Sequence, residues 1–341
     1  MQKHPFFASF RRRVLEQQSR SEHFEPVSKK HLIWTPPIST DYKKMACLVL
    51  AGGQGSRLGL DGPKGCVELP LQEKTTLFKL LFEKIQTKGS HFPVALMTSP
   101  HNHDATFTYL EKYNYFGLTN IEIFQQDLVP VCDEKGFLLC EKEGEGVQAP
   151  DGNGGAFLYL SRQGILEKWK QAGVEVIQVI PIDNPLAEPF DPELLGVHKQ
   201  TGVELVLKGI ERRDPQEKIG VIALSEKQLR VCEYSELPEE MHLRSFPLGH
   251  SGIFSCRLDF AMRIATLKLS WHLAYKSFST SEESKKVWAW KFETFIFDTF
   301  RYAKSFKVIV GERKKCFAPL KNLSGSDSLE TVSQALMTLN G

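Results

Sequence analysis

The sequence predicts an α/β protein built on a mixed, mostly parallel β-sheet flanked by helices. Short apolar segments with the character of strands alternate with helical segments between residues 45 and 200. A glycine-rich loop follows the first of these strands, and several strand-like segments lie close together beyond residue 200. Their close spacing indicates a smaller antiparallel extension of the sheet.

The alternating part of the chain is expected to supply the parallel strands. Strands are predicted at Met45–Leu50, "FPVALMTS" (92–99), "IEIFQQ" (121–126) and "VEVIQVIPIDN" (174–184). Helices are predicted near Thr75–Thr87, after His103, and at the end of "APDGNGGAFLYLSRQ" (149–163). Because parallel neighbours need a crossover connection, this alternation favours a parallel sheet with helices on its faces.

The later part of the chain has a different pattern. Strand-like segments occur at "GVELVLKG" (202–209), "GVIALS" (220–225), "LRVCEYSE" (229–236) and "SGIFSC" (251–256). Helices are predicted near Lys291–Ala303 and Ser328–Asn340, on either side of a strand at "FKVIVGER" (306–313). We expect three units: an accessory segment over 1–44, a main domain over 45–325 and a C-terminal helix over 326–341.

The accessory segment is expected to contain a helix. Apolar residues between Phe6 and Leu15 follow helical spacing beside a basic run, which favours a helix packed on the main domain. A transit peptide or a membrane-surface helix is the alternative. The prolines of "WTPPIST" (34–40) end this segment.

Composition argues against several classes of protein. The net charge is only +2, so nucleic acid is a poor candidate partner. No apolar run approaches the ~18 residues of a membrane span, and residues 1–20 lack the apolar core of a secretory leader. The seven cysteines include no C-x-x-C pair. We therefore expect a reduced, cytoplasmic protein that binds neither nucleic acid nor membrane.

The loop "LVLAGGQGSRLGLDGPKG" (48–65) has the composition of a phosphate-binding loop. Glycines let the backbone approach a ligand closely, and successive N–H groups can then surround an anion. The spacing fits neither a P-loop nor a dinucleotide fingerprint, because Lys64 follows a proline and Leu58 replaces the third glycine. A glycine turn without a ligand would leave Arg57 and Lys64 unexplained.

The order L-A-G-G-Q-G-S-R-L-G, followed by P-K, resembles the signature loop of the sugar nucleotidyltransferases. Further similar segments are "MTS" (97–99), "YFGL" (115–118), "FQQ" (124–126), "APDGNGG" (149–155), "IDN" (182–184), "VCEYSE" (231–236), "FETFIFDTF" (292–300) and "FAPLKN" (317–322). Over roughly residues 45–322 these are similar to the UDP-N-acetylhexosamine and UDP-glucose pyrophosphorylases. The resemblance implies a Rossmann-like catalytic domain of the nucleotide-diphospho-sugar transferase (GT-A-like) type.

The resemblance also implies a reaction. Such enzymes join UTP to a sugar 1-phosphate, here N-acetylglucosamine 1-phosphate or a related hexosamine 1-phosphate, and release pyrophosphate. The attacking phosphate is already an anion, so catalysis requires positioning and charge stabilisation more than a protein base. Two alternatives stay open: a UTP–glucose-1-phosphate uridylyltransferase, and a nucleotide-sugar-binding homologue without turnover. The oligomeric state is left open.

The resemblance assigns residues to the phosphates, the metal and the base. Arg57 would hold the pyrophosphate, Lys64 the α-phosphate and Lys321 the sugar phosphate, and Asp183 would bind Mg²⁺. The nucleotide would be contacted by Ala51, Gly52, Gly53, Gly55, Gln125 or Gln126, Pro150, Gly152 and Asn153. The "HNH" at 101–103 follows a strand and precedes a helix, which favours a loop or cap role over a metal pair.

The sugar side would comprise Gly220, Glu233, His250, Phe295 and Phe297. At this side the chain departs from the family pattern N-x-G-N, which reads here Gly249-His250-Ser251-Gly252. Both asparagines are replaced by glycine, so two amides are missing and the preferred sugar stays open. His250 or Ser251 could replace them.

Overall fold

The computed structural model describes residues 12, 22–55, 58–60, 62–142, 145–215, 217–233, 245–279 and 286–340. Its strands, in chain order, are β1 (Glu25–Pro26), β2 (Leu32–Ile33), β3 (Met45–Leu50), β4 (Glu68–Leu69), β5 (Thr75–Thr76), β6 (Val94–Thr98), β7 (Ile121–Gln125), β8 (Leu128–Pro130), β9 (Cys140–Lys142), β10 (Glu145–Gly146), β11 (Gln148–Pro150), β12 (Val176–Pro181), β13 (Leu205–Glu211), β14 (Val221–Ser225), β15 (Gln228–Cys232), β16 (Leu248–Arg257), β17 (His272–Ser279), β18 (Lys286–Glu293) and β19 (Phe306–Val310). Its α-helices are α1 (Leu77–Lys88), α2 (His103–Lys112), α3 (Ala156–Arg162), α4 (Ile165–Gln171), α5 (Pro192–Thr201), α6 (Leu258–Ile264), α7 (Arg313–Cys316) and α8 (Leu329–Asn340).

The main sheet is mixed and mostly parallel, which confirms the predicted fold class. Its strand order is β2-β19-β13-β16-β12-β3-β6-β7. Strands β12, β3, β6 and β7 pair in parallel, and so do β13, β19 and β2. Strand β16 runs antiparallel to both β12 and β13 and therefore joins the two parallel groups.

Helices cover both faces of this sheet, and β3 shows how the sequence produces that arrangement. Met45, Cys47 and Val49 belong to one buried cluster together with residues of α1. Ala46 and Leu48 belong to a second cluster together with residues of α3 and α4. Successive side chains of a strand point to opposite faces, so a strand buried on both sides has to be apolar throughout.

The segments beyond residue 200 extend the main sheet. The four strand-like segments between residues 202 and 256 correspond to β13, β14, β15 and β16. Strands β14 and β15 form an antiparallel hairpin that joins the sheet through β16, whereas β13 pairs in parallel with β19. A further antiparallel hairpin, β17–β18, forms a separate two-stranded sheet.

The helix predicted near Lys291–Ala303 is present only in part, and it is not an α-helix. The first residues of that range belong to β18, and Ile296–Tyr302 forms a 3₁₀ helix. In the hairpin Phe292 lies opposite Leu273. The strand that pairs with β18 is β17, and the spacing of apolar residues within 291–303 carries no information about such a partner. The sequence pattern alone therefore could not reveal this strand. The C-terminal helix predicted over Ser328–Asn340 is present as α8.

Residues 22–44 lie against the main domain. Strand β2 pairs with β19 at one end of the main sheet, and β1 pairs with β14 of the β14–β15 hairpin, so this segment extends the sheet at two places. The helix expected between Phe6 and Leu15 lies, except for Arg12, outside the described residues. In the part of the chain that is described, no helix has the length and apolar character needed to cross a bilayer.

Candidate active site

The glycine loop after β3 folds back and returns Lys64 to the start of the loop. The Gly55 N–H donates to the Gly62 carbonyl at 2.9 Å, and the Lys64 N–H donates to the Gly53 carbonyl at 3.2 Å. A Cβ atom on Gly53 would lie 3.9 Å from Cε of Lys64, so the lysine side chain passes beside the loop. Arg57 lies outside the described residues.

Lys64 meets Asp183 just beyond the carboxyl end of β12. Lys64 Nζ donates to Asp183 Oδ2 at 3.3 Å and to the Leu320 carbonyl at 3.3 Å. The Leu320 N–H in turn donates to the Asp183 carbonyl at 2.7 Å. The Lys64 side chain is 17% exposed and that of Asp183 is 25% exposed, so both remain accessible to a ligand. Open α/β sheets bind ligands at this edge.

Asn184, to which the sequence analysis gave no role, fixes the 316–320 segment beside β12. Its Nδ2 donates to the Cys316 carbonyl at 2.8 Å, and its Oδ1 accepts from the Ala318 N–H at 3.1 Å. The residue is 3% exposed, so these bonds are shielded from water. Asn184 therefore acts as a positioning residue for the segment that directly precedes Lys321.

Gln126 lies directly against the start of the glycine loop. A Cβ atom on Gly52 would be 2.4 Å from Nε2 of Gln126, so a glycine is needed to leave room for the amide. Gln126 is buried, whereas Gln125 is exposed. The Asp151 N–H donates to the Asp127 carbonyl at 3.1 Å, which brings the turn after β11 close to Gln126. Of the two glutamines left open by the sequence, Gln126 is the one at the loop.

Asn102 determines the shape of the glycine loop. Its Nδ2 donates to the carbonyls of Ala51 and Gly53 at 2.9 and 3.1 Å, and its Oδ1 accepts from the Ser99 N–H at 2.8 Å. The Ala51 N–H donates to the Met97 carbonyl, so both backbone polar groups of Ala51 are engaged within the protein. The 101–103 segment thus has the loop role that was expected. An asparagine shortly after a strand end was the only sequence signal for it.

The turn after β11 contains Gly152 and Asn153 and is fixed to the chain that follows β18. Gly152 has a φ of +89°, and a Cβ atom there would lie 2.3 Å from the Thr294 carbonyl oxygen. Asn153 Oδ1 accepts from the Ile296 N–H at 2.9 Å. Part of the Asn153 amide is therefore used within the protein. Pro150, the last residue of β11, leads into this turn.

Four of the residues predicted for the sugar side form a cluster. The His250 N–H donates to the Gly220 carbonyl at 2.8 Å, and a Cβ atom on Gly220 would lie 3.8 Å from Glu233 Oε1. The rings of His250 and Phe297 meet edge-on, with 4.8 Å between centroids. Phe295 is half-buried two residues earlier in the same segment.

Lys321 links this cluster to the Lys64 site. Its Nζ donates to the Lys218 carbonyl at 3.4 Å, two residues before Gly220, and lies 3.8 Å from Asp327 Oδ2. Lys321 also directly follows the residue whose carbonyl Lys64 contacts. The two predicted phosphate-binding lysines therefore reach the same edge of the sheet.

His250 is buried, and neither ring nitrogen has a hydrogen-bond partner. Three rings surround it: Phe254, Phe297 and Phe300. Burial lowers the pKa of His250 to about 3, so the imidazole is neutral near pH 7 and has one donor and one acceptor to offer. Ser251, the other residue left open, donates its hydroxyl to the Lys208 carbonyl at 2.5 Å and is buried.

Asp183 would have to bind a metal ion without the help of a protein cage. Among the described residues no group of three or more His, Cys, Asp or Glu side chains could hold an ion. A single accessible carboxylate fits Mg²⁺, which binds through one or two carboxylates together with phosphate oxygens and water. The donor set is therefore compatible with a metal that arrives with a nucleotide.

Comparisons with known proteins show to which family the chain belongs. The family model described as UTP–glucose-1-phosphate uridylyltransferase matches residues 4–325. UDP-N-acetylglucosamine diphosphorylase 1 of Arabidopsis thaliana is 32% identical in an alignment 336 positions long, which covers 90% of this chain and 66% of the relative. UDP-N-acetylhexosamine pyrophosphorylase-like protein 1 of Homo sapiens is 33% identical, over 86% of this chain and 64% of the relative.

A solved structure shows the same fold. The uridine diphosphate N-acetylglucosamine pyrophosphorylase of Trypanosoma brucei superimposes with a TM-score of 0.84 at 27% identity, covering 97% of this chain and 75% of that one. The chain spans slightly less than two thirds of the length of the two curated relatives.

Proposed function

Because the chain belongs to the UTP–glucose-1-phosphate uridylyltransferase family, we propose that it transfers a uridylyl group from UTP to a hexosamine 1-phosphate. The products would be a UDP-sugar, with UDP-N-acetylglucosamine as the first candidate, and pyrophosphate. The observation that carries this proposal is the meeting of Lys64 and Asp183 beside the glycine loop, with Lys321 nearby. Such a group of charges suits a site where two phosphorylated substrates meet.

The proposed mechanism depends on these charged groups. An oxygen of the sugar phosphate attacks the α-phosphorus of UTP, a new P–O bond forms, and the bond to pyrophosphate breaks on the opposite side. Lys64 would neutralise the α-phosphate, and Lys321 would bind the attacking phosphate from the sugar side. Arg57 would hold the departing pyrophosphate. Fixed cations reduce the repulsion between the two anionic substrates and stabilise the charge of the transition state.

Asp183 would hold Mg²⁺ together with the phosphates of the nucleotide. When bound, the ion neutralises phosphate charge and helps to orient the oxygens of the reacting groups. Asp183 in turn keeps the Lys64 ammonium group in place, because their side chains lie 3.3 Å apart. Exhaustive chelation of divalent ions is expected to abolish turnover, whereas activity that survives chelation would contradict this role.

Uracil would bind between Gly52, Gln126 and three residues at the turn after β11, Pro150, Gly152 and Asn153. Gly52 is partly exposed, and the Gln126 amide that lies against it supplies both a donor and an acceptor. Recognition of the base by amide and backbone groups would favour UTP over other triphosphates.

The sugar would bind at the cluster of Gly220, Glu233, His250 and Phe297. The neutral imidazole of His250 has unused hydrogen-bonding capacity, and a sugar hydroxyl or amide would satisfy it. Gly249 and Gly252 lack the side chains that the family pattern places there, so the sugar could also be glucose. His250→Phe should raise the KM for the sugar phosphate more than the KM for UTP.

A panel of sugar 1-phosphates, each incubated with UTP and Mg²⁺, tests the proposal through pyrophosphate release. The expected result is the fastest release with N-acetylglucosamine 1-phosphate. Preference for glucose 1-phosphate would identify the alternative substrate. Absence of release with every sugar, despite measurable UTP binding, would indicate a binding protein without turnover. ATP, CTP and GTP serve as controls for recognition of the base.

We further propose a cytoplasmic location. Five of the seven cysteines, Cys47, Cys66, Cys140, Cys256 and Cys316, form no disulfide bond in the part of the chain that the structure describes, which suits a reducing compartment. Fractionation of cells with an antibody against this chain would test the location.

A further inference from the structure

A cavity of about 400 Å³ lies between α3, the end of α6 and the chain that leads into β17. Its lining includes the apolar and aromatic side chains of Phe157, Leu158, Ile264, Leu269 and Trp271, together with several polar side chains. None of the residues assigned above to UTP, sugar or metal belongs to this lining. A volume of this size is typical of a small-molecule site.

Asp151, which lines the cavity, has an unsatisfied acceptor. The residue is only 5% exposed, and its Oδ1 is buried without a hydrogen-bond partner. The other carboxylate oxygen accepts from the Tyr159 hydroxyl. Burial raises the pKa of Asp151 to about 6, which reflects the cost of keeping this charge away from water. A buried acceptor without a donor is destabilising, and a ligand could supply the missing bond.

The polar groups of the lining specify the chemistry of that ligand. The hydroxyl hydrogens of Tyr159, Thr294 and Thr299 are all donated to protein oxygens. The buried part of the cavity therefore offers acceptors and aromatic surface, while its two cations, Arg162 and Lys268, are exposed. A flat ligand with an N–H donor matches the buried part, because its ring would pack on the apolar wall and its nitrogen would reach Asp151.

We propose that this cavity binds a small aromatic amine whose nitrogen donates to Asp151. The site differs from the proposed UTP site, although both include residues of one turn: Gly152 and Asn153 belong to one, and Asp151 and Gly154 to the other. Binding of the amine does not depend on the proposed reaction, and either can fail without the other.

Tryptamine serves as the probe, with isothermal titration calorimetry on the full chain at pH 7.5. We expect a Kd of about 1 mM or tighter, as befits a ligand of this size. Asp151→Asn keeps an acceptor for Tyr159 and replaces the unpaired oxygen by an amide, so it should weaken binding by about tenfold or more. Asp104→Asn, which removes an exposed carboxylate on α2, is the matched control and should change the Kd by less than about twofold.

A second variant and two analogues complete the test. Leu269→Trp places a large side chain in the cavity and should abolish binding while leaving Asp151 intact. Indole lacks the amine and indole-3-propionate replaces it by an anion, so both should bind more weakly than tryptamine. The proposal is overturned if tryptamine fails to bind the parent protein, if either analogue binds equally well, or if saturating UTP displaces tryptamine one for one.

Discussion

Lys64 shows how a single side chain is positioned by distant parts of the chain. Its Nζ contacts Asp183, 119 positions away, and the Leu320 carbonyl, 256 positions away. The backbone N–H of Lys64 donates to the Gly53 carbonyl. A flexible lysine held in this way loses less freedom on binding a phosphate, because the folded protein has already restricted it.

Substitution of Lys64 tests its role in the reaction. Lys64→Ala should retain the fold and lower kcat by about 100-fold or more, because a cation beside the transferred phosphate stabilises mainly the transition state. Pyrophosphate release under saturating substrates is the measurement. Lys74→Ala, which removes an exposed lysine ten residues later, is the control. Near-parental turnover of Lys64→Ala would remove this residue from the mechanism.

Asn102 is expected to act on nucleotide binding through the shape of the glycine loop. Asn102→Ala removes the donors to the Ala51 and Gly53 carbonyls, so UTP affinity should fall by about tenfold and the free energy of unfolding by about 2 kcal/mol. Calorimetric titration with UTP and urea unfolding measure the two effects. Asn120→Ala loses one exposed bond to the His91 carbonyl and should change neither. Equal effects of the two substitutions would show that Asn102 has no special role.

At the scale of elements, the turn after β11 and the chain after β18 act as one unit. The Gly154 N–H donates to the Thr294 carbonyl at 2.9 Å, and the Thr294 N–H donates to the Asp151 carbonyl at 2.7 Å. Asn153 accepts from Ile296. The predicted uracil turn and the segment that carries Phe295 and Phe297 are therefore joined by backbone contacts that leave no space for a side chain at Gly152.

Two glycine variants separate the cost of this contact from the cost of backbone conformation. Gly152 and Gly164 both have positive φ, +89° and +70°, but only Gly152 has a neighbour within 4 Å of a Cβ position. Gly164→Ala should lower the free energy of unfolding by about 1 kcal/mol, and Gly152→Ala by about 3 kcal/mol or more. Urea unfolding at pH 7 measures both. Equal losses would mean that the contact with Thr294 adjusts without cost.

At the scale of the whole molecule, a buried histidine connects α5 to the main sheet through a hydrogen bond. The ring of His198 bonds through Nδ1 to the Val203 carbonyl at 3.0 Å and through Nε2 to Ser255 Oγ at 2.9 Å, which lies on β16. Burial lowers the pKa of His198 to about 4, with a smaller contribution in the same direction from Arg257. In the unfolded chain the same group titrates near 6.5.

This difference makes the stability of the fold depend on pH. As the pH falls below 6.5, His198 binds a proton in the unfolded chain but stays neutral in the folded protein. The contribution of His198 to the free energy of unfolding, which is present at neutral pH, is therefore lost towards pH 4. Between pH 7 and 4.5 the parent should lose about 2–3 kcal/mol more unfolding free energy than His198→Gln. Urea unfolding at both pH values measures the difference. Parallel losses in both proteins would show that His198 does not titrate on unfolding.

The sequence by itself determined the order of most elements and predicted the residues of the candidate site. Runs such as Met45–Leu50, apolar at every position, require burial on both faces, and the glycine loop requires close approach of a backbone. Lys64, Asp183 and Lys321 were identified from their motifs, and the fold brings them to one edge of the sheet. Burial patterns and sequence motifs can be recognised from the sequence because each depends on residues within a short stretch of chain.

Only the tertiary structure decided which residues support that edge. Asn102 and Asn184 hold the loop and the 316–320 segment through bonds to residues far away in sequence, and β18 became a strand because β17 pairs with it. The choice of Gln126 over Gln125 and the burial of His250 among three phenylalanine rings also follow from packing. Hydrogen-bond partners and neighbours across a sheet are set by the global fold, so no local pattern could have specified them.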